Sequence, residues 1–253
     1  MTFTIITATF NSEKTIVRTI DSVLRQSYSN FEFIIIDGNS KDGTVKILKS
    51  YENQFKKRGI SFSWISENDK GIYDAWNKGL NLAEGEWISF LGSDDYYLDN
   101  ALISYYELIE NNNLEIDWIY SNVLYVESSI KKRLLNAVWS WKKFRRNTSI
   151  LPAHVGSFHN KKFFKAYGVY DTSYKIAGDY EMLLRPKDNL KTLKVDNTTA
   201  VMSSGGVSNM LIKEVFKETL RAKNITAGVS IVTCRYDYYL SMLKWRLKNL
   251  LRN

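Results

Sequence analysis

The sequence predicts an α/β fold built on a doubly wound, mostly parallel sheet, and three observations carry that expectation. Strand-like and helix-like segments alternate through the first hundred residues. The run Phe31–Asp37 (FEFIIID) is almost continuously apolar, as a strand covered on both faces must be. A later run, Trp87–Leu91, leads into two adjacent carboxylates, Asp94 and Asp95. The carboxyl end of a parallel strand is where open α/β sheets place their ligand crevice.

Each element follows from local pattern. Phe3–Thr9 is rich in β-formers, and Asn11 and Ser12 after it are good helix N-caps. Ile16, Ile20, Val23 and Leu24 then recur at spacings of three and four, one face of a helix. After Phe31–Asp37 the segment GNSKDGT reads as a loop, and Val45, Leu48, Tyr51 and Phe55 form a second helical stripe. Ser61–Ser66 is a third strand, Ile72–Leu82 a helix, and Trp87–Leu91 the fourth strand. This βαβαβαβ order implies parallel strands with right-handed crossovers.

Beyond Asn100 the expected order is looser. It runs through a helix near Ala101–Asn111, a strand at Trp118–Val126, short helices at Lys161–Tyr167 and Asp179–Leu184, and strands at Lys191–Val195 and Thr199–Met202. Ser203–Ser208 (SSGGVS) is a break, either a plain linker or a lid with glycine hinges. Met210–Asn253 contains no proline and reads as helical. There Tyr236, Leu240, Leu243, Leu247, Leu250 and Leu251 form a stripe flanked by Arg235, Lys244, Arg246, Lys248 and Arg252. Such a basic amphipathic helix either packs on the domain or lies in a membrane interface.

A chain of 253 residues, 44% apolar and 25% charged, is sized for one large globular domain or a domain with an appendage. Cys234 is the sole cysteine, so no intrachain disulfide can form and a reducing compartment fits. The start MTFTIITATFNSEK lacks the basic and apolar regions of a signal peptide, and no apolar stretch approaches the about 20 residues of a membrane span. A cytoplasmic protein is expected. The net charge of +8 is uneven: no acidic residue lies between Glu127 and Asp171. Lys131, Lys132, Arg133, Lys142, Lys143, Arg145, Arg146, Lys161, Lys162 and Lys165 fall there, interleaved with Trp139, Trp141 and Phe144. A basic, aromatic stretch suits a phosphate-bearing partner or is simply a solvated face.

The first strand–helix junction, TATFNSEKT, has no glycine, which excludes the G-x-G-x-x-G dinucleotide loop, and no Walker A loop occurs. What remains is a crevice with Asp37 at the end of the second strand and Asp94 and Asp95 beyond the fourth. Asp37 is either a turn residue or an acceptor for a pyrimidine N3–H. The paired carboxylates either cap a turn or are neutralised by a hard cation such as Mg²⁺ or Mn²⁺.

The segments TATFN (7–11), FEFIIIDGNSKDGT (31–44), SENDKGIYDAWNKGL (66–80), GEWISFLGSDD (85–95) and AGDYEMLLR (177–185) together resemble the family 2 glycosyltransferases. The chain is similar to bacterial members that build O-antigen, capsule or exopolysaccharide repeat units. The resemblance implies a GT-A domain over residues 1–205, with a nucleotide-sugar half to about residue 100 and an acceptor half after it. Residues 206–253 would be a helical extension outside it. It further implies an inverting, metal-dependent hexosyl transfer from a UDP-sugar.

Carried over residue by residue, Thr7, Ala8, Thr9 and Asp37 would hold the uracil, and Asp69 part of the nucleoside pocket. Asp94 would meet the ribose or the metal, and Asp95 would bind the Mn²⁺ or Mg²⁺. Many relatives have a further carboxylate where this chain has Ser93, so one possible ligand is missing. Asp179 matches the family's general base, with Glu181 second; read locally, Asp179 is equally a helix N-cap with Met182 at N3. Arg185 lies where relatives keep a cation for the donor diphosphate, or is a helix-end cation. His154 would touch donor phosphate or acceptor, or be a structural histidine, and His159 carries less weight. Tyr73, Trp76 and Tyr96 are either core or lining of a sugar pocket.

The expected acceptor is a lipid-pyrophosphate-linked saccharide, reached at an anionic membrane surface on the inner face of the cytoplasmic membrane. The rival expectation is a non-catalytic binder of nucleic acid or anionic polymer using the basic 131–165 surface. No helix-turn-helix, RNA-recognition or zinc signature supports a nucleic-acid partner.

Overall fold

The computed structural model describes residues 1–128, 130–146, 151–206 and 211–250, with side chains to residue 247. Its first half runs β1 (Phe3–Thr9), α1 (Ile16–Leu24), β2 (Phe31–Asp37), α2 (Thr44–Lys57), β3 (Ser61–Ser66), α3 (Ile72–Leu82) and β4 (Trp87–Phe90). β5 (Tyr96–Tyr97), α4 (Ala101–Glu110), β6 (Trp118–Val126), β7 (Lys132–Leu135) and α5 (Trp141–Phe144) follow. The chain continues through β8 (Ser157–Asn160), α6 (Lys161–Tyr167), α7 (Gly178–Leu184) and β9 (Thr192–Ser203). Two helices, α8 (Ile212–Ile225) and α9 (Ile231–Leu250), close the described chain.

The strands form one sheet in the order β3-β2-β1-β4-β8-β6-β9-β5, with β7 hydrogen-bonded to β6. The β3-β2-β1-β4 portion is wholly parallel. β8 is antiparallel to both β4 and β6, while β6 and β9 run parallel. All seven residues of β2 are buried, as its apolar run requires. The strand period of two sends alternate side chains to opposite cores. Phe3, Ile5, Phe33 and Ile35 pack with Ile16, Ile20, Leu48 and Phe55 on one face. Ile6, Ile34 and Ile36 join Tyr73, Trp76, Phe163 and Leu183 on the other. Helices α1 and α2 therefore cover one face, and α3, α6 and α7 the other.

The expected elements of the first half stand within a residue of their predicted bounds, but their caps differ. Helix α1 begins three residues late, after Thr15, with no side-chain cap. Asn11 is instead left-handed (φ 49°), and its Oδ1 accepts the Lys41 N–H at 2.8 Å, tying the loop after β1 to the loop after β2. Helix α7 is capped by Ala177, so Asp179 lies in its first turn and is not the N-cap. The two short strands expected at 191–202 are one strand, β9, which absorbs the break in a register shift opposite Asn122. The C-terminal region is two helices separated by a turn in which Gly228 adopts φ 65°. Val207 and Ser208 of SSGGVS, Met210, Leu251 and Arg252, and the side chains of Lys248 and Leu250, lie outside the described residues.

Candidate active site

The carboxyl edge of the parallel strands gathers a row of polar groups. Thr9, Asp37 and Ser66 are register partners across β1, β2 and β3. The Thr7 and Thr9 hydroxyls are buried with no hydrogen-bond partner, an arrangement that costs about 1–3 kcal/mol each unless a ligand supplies one. Ala8, between them, faces the opposite core. Asp37 is fully buried and already engaged: Ser40 donates its N–H at 3.0 Å and its hydroxyl, and Ser66 donates its hydroxyl at 2.6 Å. Its immediate duty is to fold the Gly38–Ser40 loop, which leaves about one acceptor site of four for a base.

Asp69 approaches the same loop. Its Oδ1 accepts the Gly71 N–H at 2.8 Å, and its Oδ2 would lie 2.7 Å from a Cβ at residue 38, so a larger residue there would displace the carboxylate. Phe10 stands beside Gly38 with 60% of its surface exposed, an aromatic ring at the mouth of the crevice. The sequence reading passed over Phe10; its position next to Thr9 was the available signal.

Asp94 and Asp95 follow β4 on a tight turn. A Cβ at Gly92 would meet Asp95 Oδ2 at 2.7 Å and Asp94 Oδ1 at 3.1 Å, so both carboxylates close on space that a glycine leaves free. Burial first, and then the adjacent Asp94 charge, push the Asp95 carboxyl up to about 7, against the lowering effects of the Ser203 N–H and Arg18. Burial also raises Asp94, opposed by a backbone hydrogen bond and by Arg18. Two anions held together with their charge unpaired fit a divalent cation. Among the described residues no third His, Cys, Asp or Glu joins them. Ser93 bonds Ser12 at 3.0 Å through its hydroxyl.

Two residues unnoticed in the sequence fix this turn. Arg18 of α1 donates to the Asp94 carbonyl at 2.7 Å and to the Ser203 hydroxyl at 3.0 Å, with its guanidinium 4.5 Å from the Tyr96 ring centroid. Tyr96 is therefore engaged by a cation beside the carboxylates. Ser203, at the end of β9, donates its N–H to Asp95 Oδ1 at 2.8 Å and its hydroxyl to the Asp94 carbonyl at 2.7 Å. The described start of SSGGVS thus lies against the acidic pair, with a Cβ at Gly205 placed 3.4 Å from Asp94 Oδ2.

Asp179 lies among aromatic side chains in the first turn of α7. Its Oδ1 accepts the Tyr180 N–H at 2.8 Å and the Tyr73 hydroxyl at 3.4 Å. Tyr73 stacks on Tyr170 and meets Trp76 edge-on, and His154 stacks on Trp76 at 5.2 Å. His154 Nε2 is 3.2 Å from the Tyr170 hydroxyl. Burial lowers the His154 pKa while nearby Asp179 raises it, so the ring is held neutral. Tyr73 and Trp76 are buried core that also walls this side of the crevice. Glu218 of α8, another unforeseen residue, accepts the N–H groups of Lys175, Ile176 and Ala177 at 2.8–2.9 Å and fixes the approach to α7.

Three side chains of the expected site and basic surface have partners within the protein. Arg185 turns inward, donating Nε and Nη2 to Glu181 and Nη1 to the Tyr167 and Val169 carbonyls. Glu181, the second candidate base, is occupied by Arg185 and by the Thr226 hydroxyl. Arg146 of the basic stretch pairs with Asp237 at 2.6 Å, and Phe144 is buried against Trp139 and Tyr180. The 131–165 stretch is thus partly core and offers no row of free aromatic rings.

With this geometry, a family model described as "Glycosyl transferase family 2" matches residues 4–166. The chain belongs to glycosyl transferase family 2. Among its relatives, a PGL/p-HBAD biosynthesis glycosyltransferase of Mycobacterium bovis is 27% identical over 228 residues, covering 86% of this chain and 83% of that one. WfgD of Escherichia coli, named a UDP-Glc:alpha-D-GlcNAc-diphosphoundecaprenol beta-1,3-glucosyltransferase, is 35% identical over 119 residues, 47% of this chain and 44% of that one. The solved mannosyltransferase PcManGT from Pyrobaculum calidifontis, in complex with GDP-Man and Mn²⁺, superposes with a TM-score of 0.67 at 14% identity. That alignment spans 94% of this chain and 68% of the other, and shows the shared GT-A fold. Within this glycosyltransferase, the carboxyl-edge residues all fall inside the matched segment, whereas Asp179 and Ser203 lie beyond it.

Proposed function

We propose that this family 2 enzyme is an inverting hexosyltransferase that uses a UDP-sugar and glycosylates a saccharide carried on a lipid pyrophosphate, in assembly of a bacterial surface polysaccharide. The observation that carries the reading is the pair Asp94 and Asp95, closely set, Asp95 buried and Asp94 half-buried, with Arg18 the one cation acting on both. These two carboxylates would hold Mn²⁺ or Mg²⁺, whose charge offsets the negative charge growing on the departing diphosphate. Thr7, Thr9, Asp69 and the exposed ring of Phe10 make the nucleoside end of the crevice. Asp37 shapes that end through Ser40 and Ser66 and keeps one acceptor position for the base N3–H.

On the acceptor side, Asp179 Oδ1 is oriented by the Tyr180 N–H. Oδ2 then takes the proton of the acceptor hydroxyl as its oxygen bonds to the anomeric carbon and UDP leaves. Neutral His154, Trp76 and Tyr73 wall the acceptor sugar. The name of WfgD supports a UDP-hexose and a diphospholipid acceptor, and that of PcManGT supports a divalent metal.

The test is UDP release from UDP-glucose and other UDP-hexoses, with Mn²⁺ and a GlcNAc-diphospholipid mimic, followed by NMR of the new linkage. UDP formed in step with an inverted glycoside is the expected result. Asp179→Asn should lower kcat by about 10²–10⁴-fold while keeping UDP affinity within about twofold. Transfer from GDP-mannose alone, or a retained anomeric configuration, overturns the reading.

A further inference from the structure

Helix α9 is apolar on two faces, and only one of them is covered. Cys234, Asp237, Tyr238 and Ser241 turn inward, where Phe216, Leu220 and Lys223 of α8 line a small space with them. On the opposite side stand Val232, Tyr236, Tyr239, Leu243 and Leu247. They recur at spacings of four, three, four and four residues, a single straight stripe along about 22 Å of helix. All are between 50% and 75% exposed. Helical propensity needs none of them, and nothing in the described chain packs over them.

The charge around this stripe is of one sign. Arg235, Lys244 and Arg246 are exposed and have no acidic partner among the described residues. Asp237, the sole acid of the helix, is 5% exposed and closed off by Arg146 and Lys223. The Arg146–Asp237 pair also binds the end of α5 to α9. A symmetric second copy docked on the stripe would bring Arg235, Lys244 and Arg246 against their own kind, with no exposed carboxylate on α9 to offset them. An anionic bilayer surface matches both features: acyl chains receive the apolar stripe and headgroups the flanking cations. Among the described residues no helix is long and apolar enough to cross a membrane, so the contact is interfacial.

We propose that the outer face of α9, with its flanking Arg235, Lys244 and Arg246, is a docking surface for an anionic lipid leaflet. It deepens the lipid-linked acceptor reading by naming what holds the enzyme beside that acceptor. Glu218 and Thr226 join the same helical pair to the α7 segment bearing Asp179.

The test uses the whole chain in vesicle flotation, without donor or acceptor. Binding to phosphatidylcholine vesicles containing phosphatidylglycerol, and none to pure phosphatidylcholine, is expected. The double variant Leu243→Glu/Leu247→Glu should lose at least tenfold in binding with an unchanged Tm, since both side chains face solvent. Arg235→Gln and Arg246→Gln should each weaken binding roughly fivefold. Turnover of a short-chain, water-soluble acceptor should be equal in parent and variants, which separates failure of docking from failure of the catalytic reading. Equal vesicle binding by parent and double variant overturns the proposal. So does no vesicle binding by the parent, or a parent dimer that the double variant dissociates.

Discussion

Both halves of the molecule bury charge, and they treat it in opposite ways. At the carboxyl edge of β4, Asp94 and Asp95 sit side by side, and the nearest cation, Arg18, spends its guanidinium on a carbonyl, a hydroxyl and an aromatic face. Around α7, α8 and α9 each buried charge has an opposite partner: Glu181 with Arg185, and Asp237 with Arg146 and Lys223. A closed pair is scaffold, since its members have no valence left for a ligand. An open pair of like charges lowers stability and persists where a ligand completes it.

The contrast is broken most forcefully by Asp95→Ala. Transfer should fall by about 10³-fold, the scale of charge stabilisation ascribed to a bound metal. Tm should hold or rise, because burial and the Asp94 charge both oppose the Asp95 carboxylate. A large loss of Tm with little loss of turnover would make the pair scaffold as well. Arg185→Ala should show the reverse. Removing it leaves Glu181, 8% exposed, as an uncompensated buried charge, which costs about 3–5 kcal/mol in urea unfolding. Donor KM should move less than twofold at temperatures where the variant is folded. A selective rise in donor KM would return Arg185 to the diphosphate.

The same contrast explains what could be read from the sequence. The parallel half was legible because its signals are local: FEFIIID needs cover on both faces, and a strand running into Asp94 and Asp95 has one geometric meaning in an open sheet. Arg185 and Glu181 were not legible. Their spacing of four residues fits a helical ion pair as well as two separate ligands, and what decides is the Tyr167 and Val169 carbonyls, supplied by the preceding helix and turn. Arg146 looked like surface charge because its partner lies 91 residues away. Arg18, Ser203 and Glu218 were missed for a related reason, since they act through backbone groups that no side-chain pattern announces. Phe10 was readable in principle, an aromatic residue directly after a buried polar strand end.

His159 sharpens the comparison from a third side, as a titratable group with no counter-charge and no ligand role. It lies on β8, the strand joining the two halves, enclosed by Phe90, Trp118, Phe163, Phe164 and His154, with no carboxylate among them. Burial, then His154, lower its pKa well below 6.5, weakly opposed by the backbone of Ile88. The sign follows: above pH 6.5 both folded and unfolded forms are neutral, whereas below it the unfolded chain takes up a proton that the folded one refuses. The contribution of this residue should therefore fall as pH drops, by about 1.4 kcal/mol at roughly pH 5.5, against the opposite trend of Asp95, whose carboxyl raised to about 7 gains stability as pH falls. His159→Phe should flatten that part of the urea-unfolding profile while leaving stability at about pH 8 within roughly 1 kcal/mol of the parent. His154, near Asp179, would supply the residual slope. An undiminished slope in His159→Phe would mean that the acid sensitivity arises elsewhere, with His154 the first place to look, because its pKa is also lowered from 6.5 by burial.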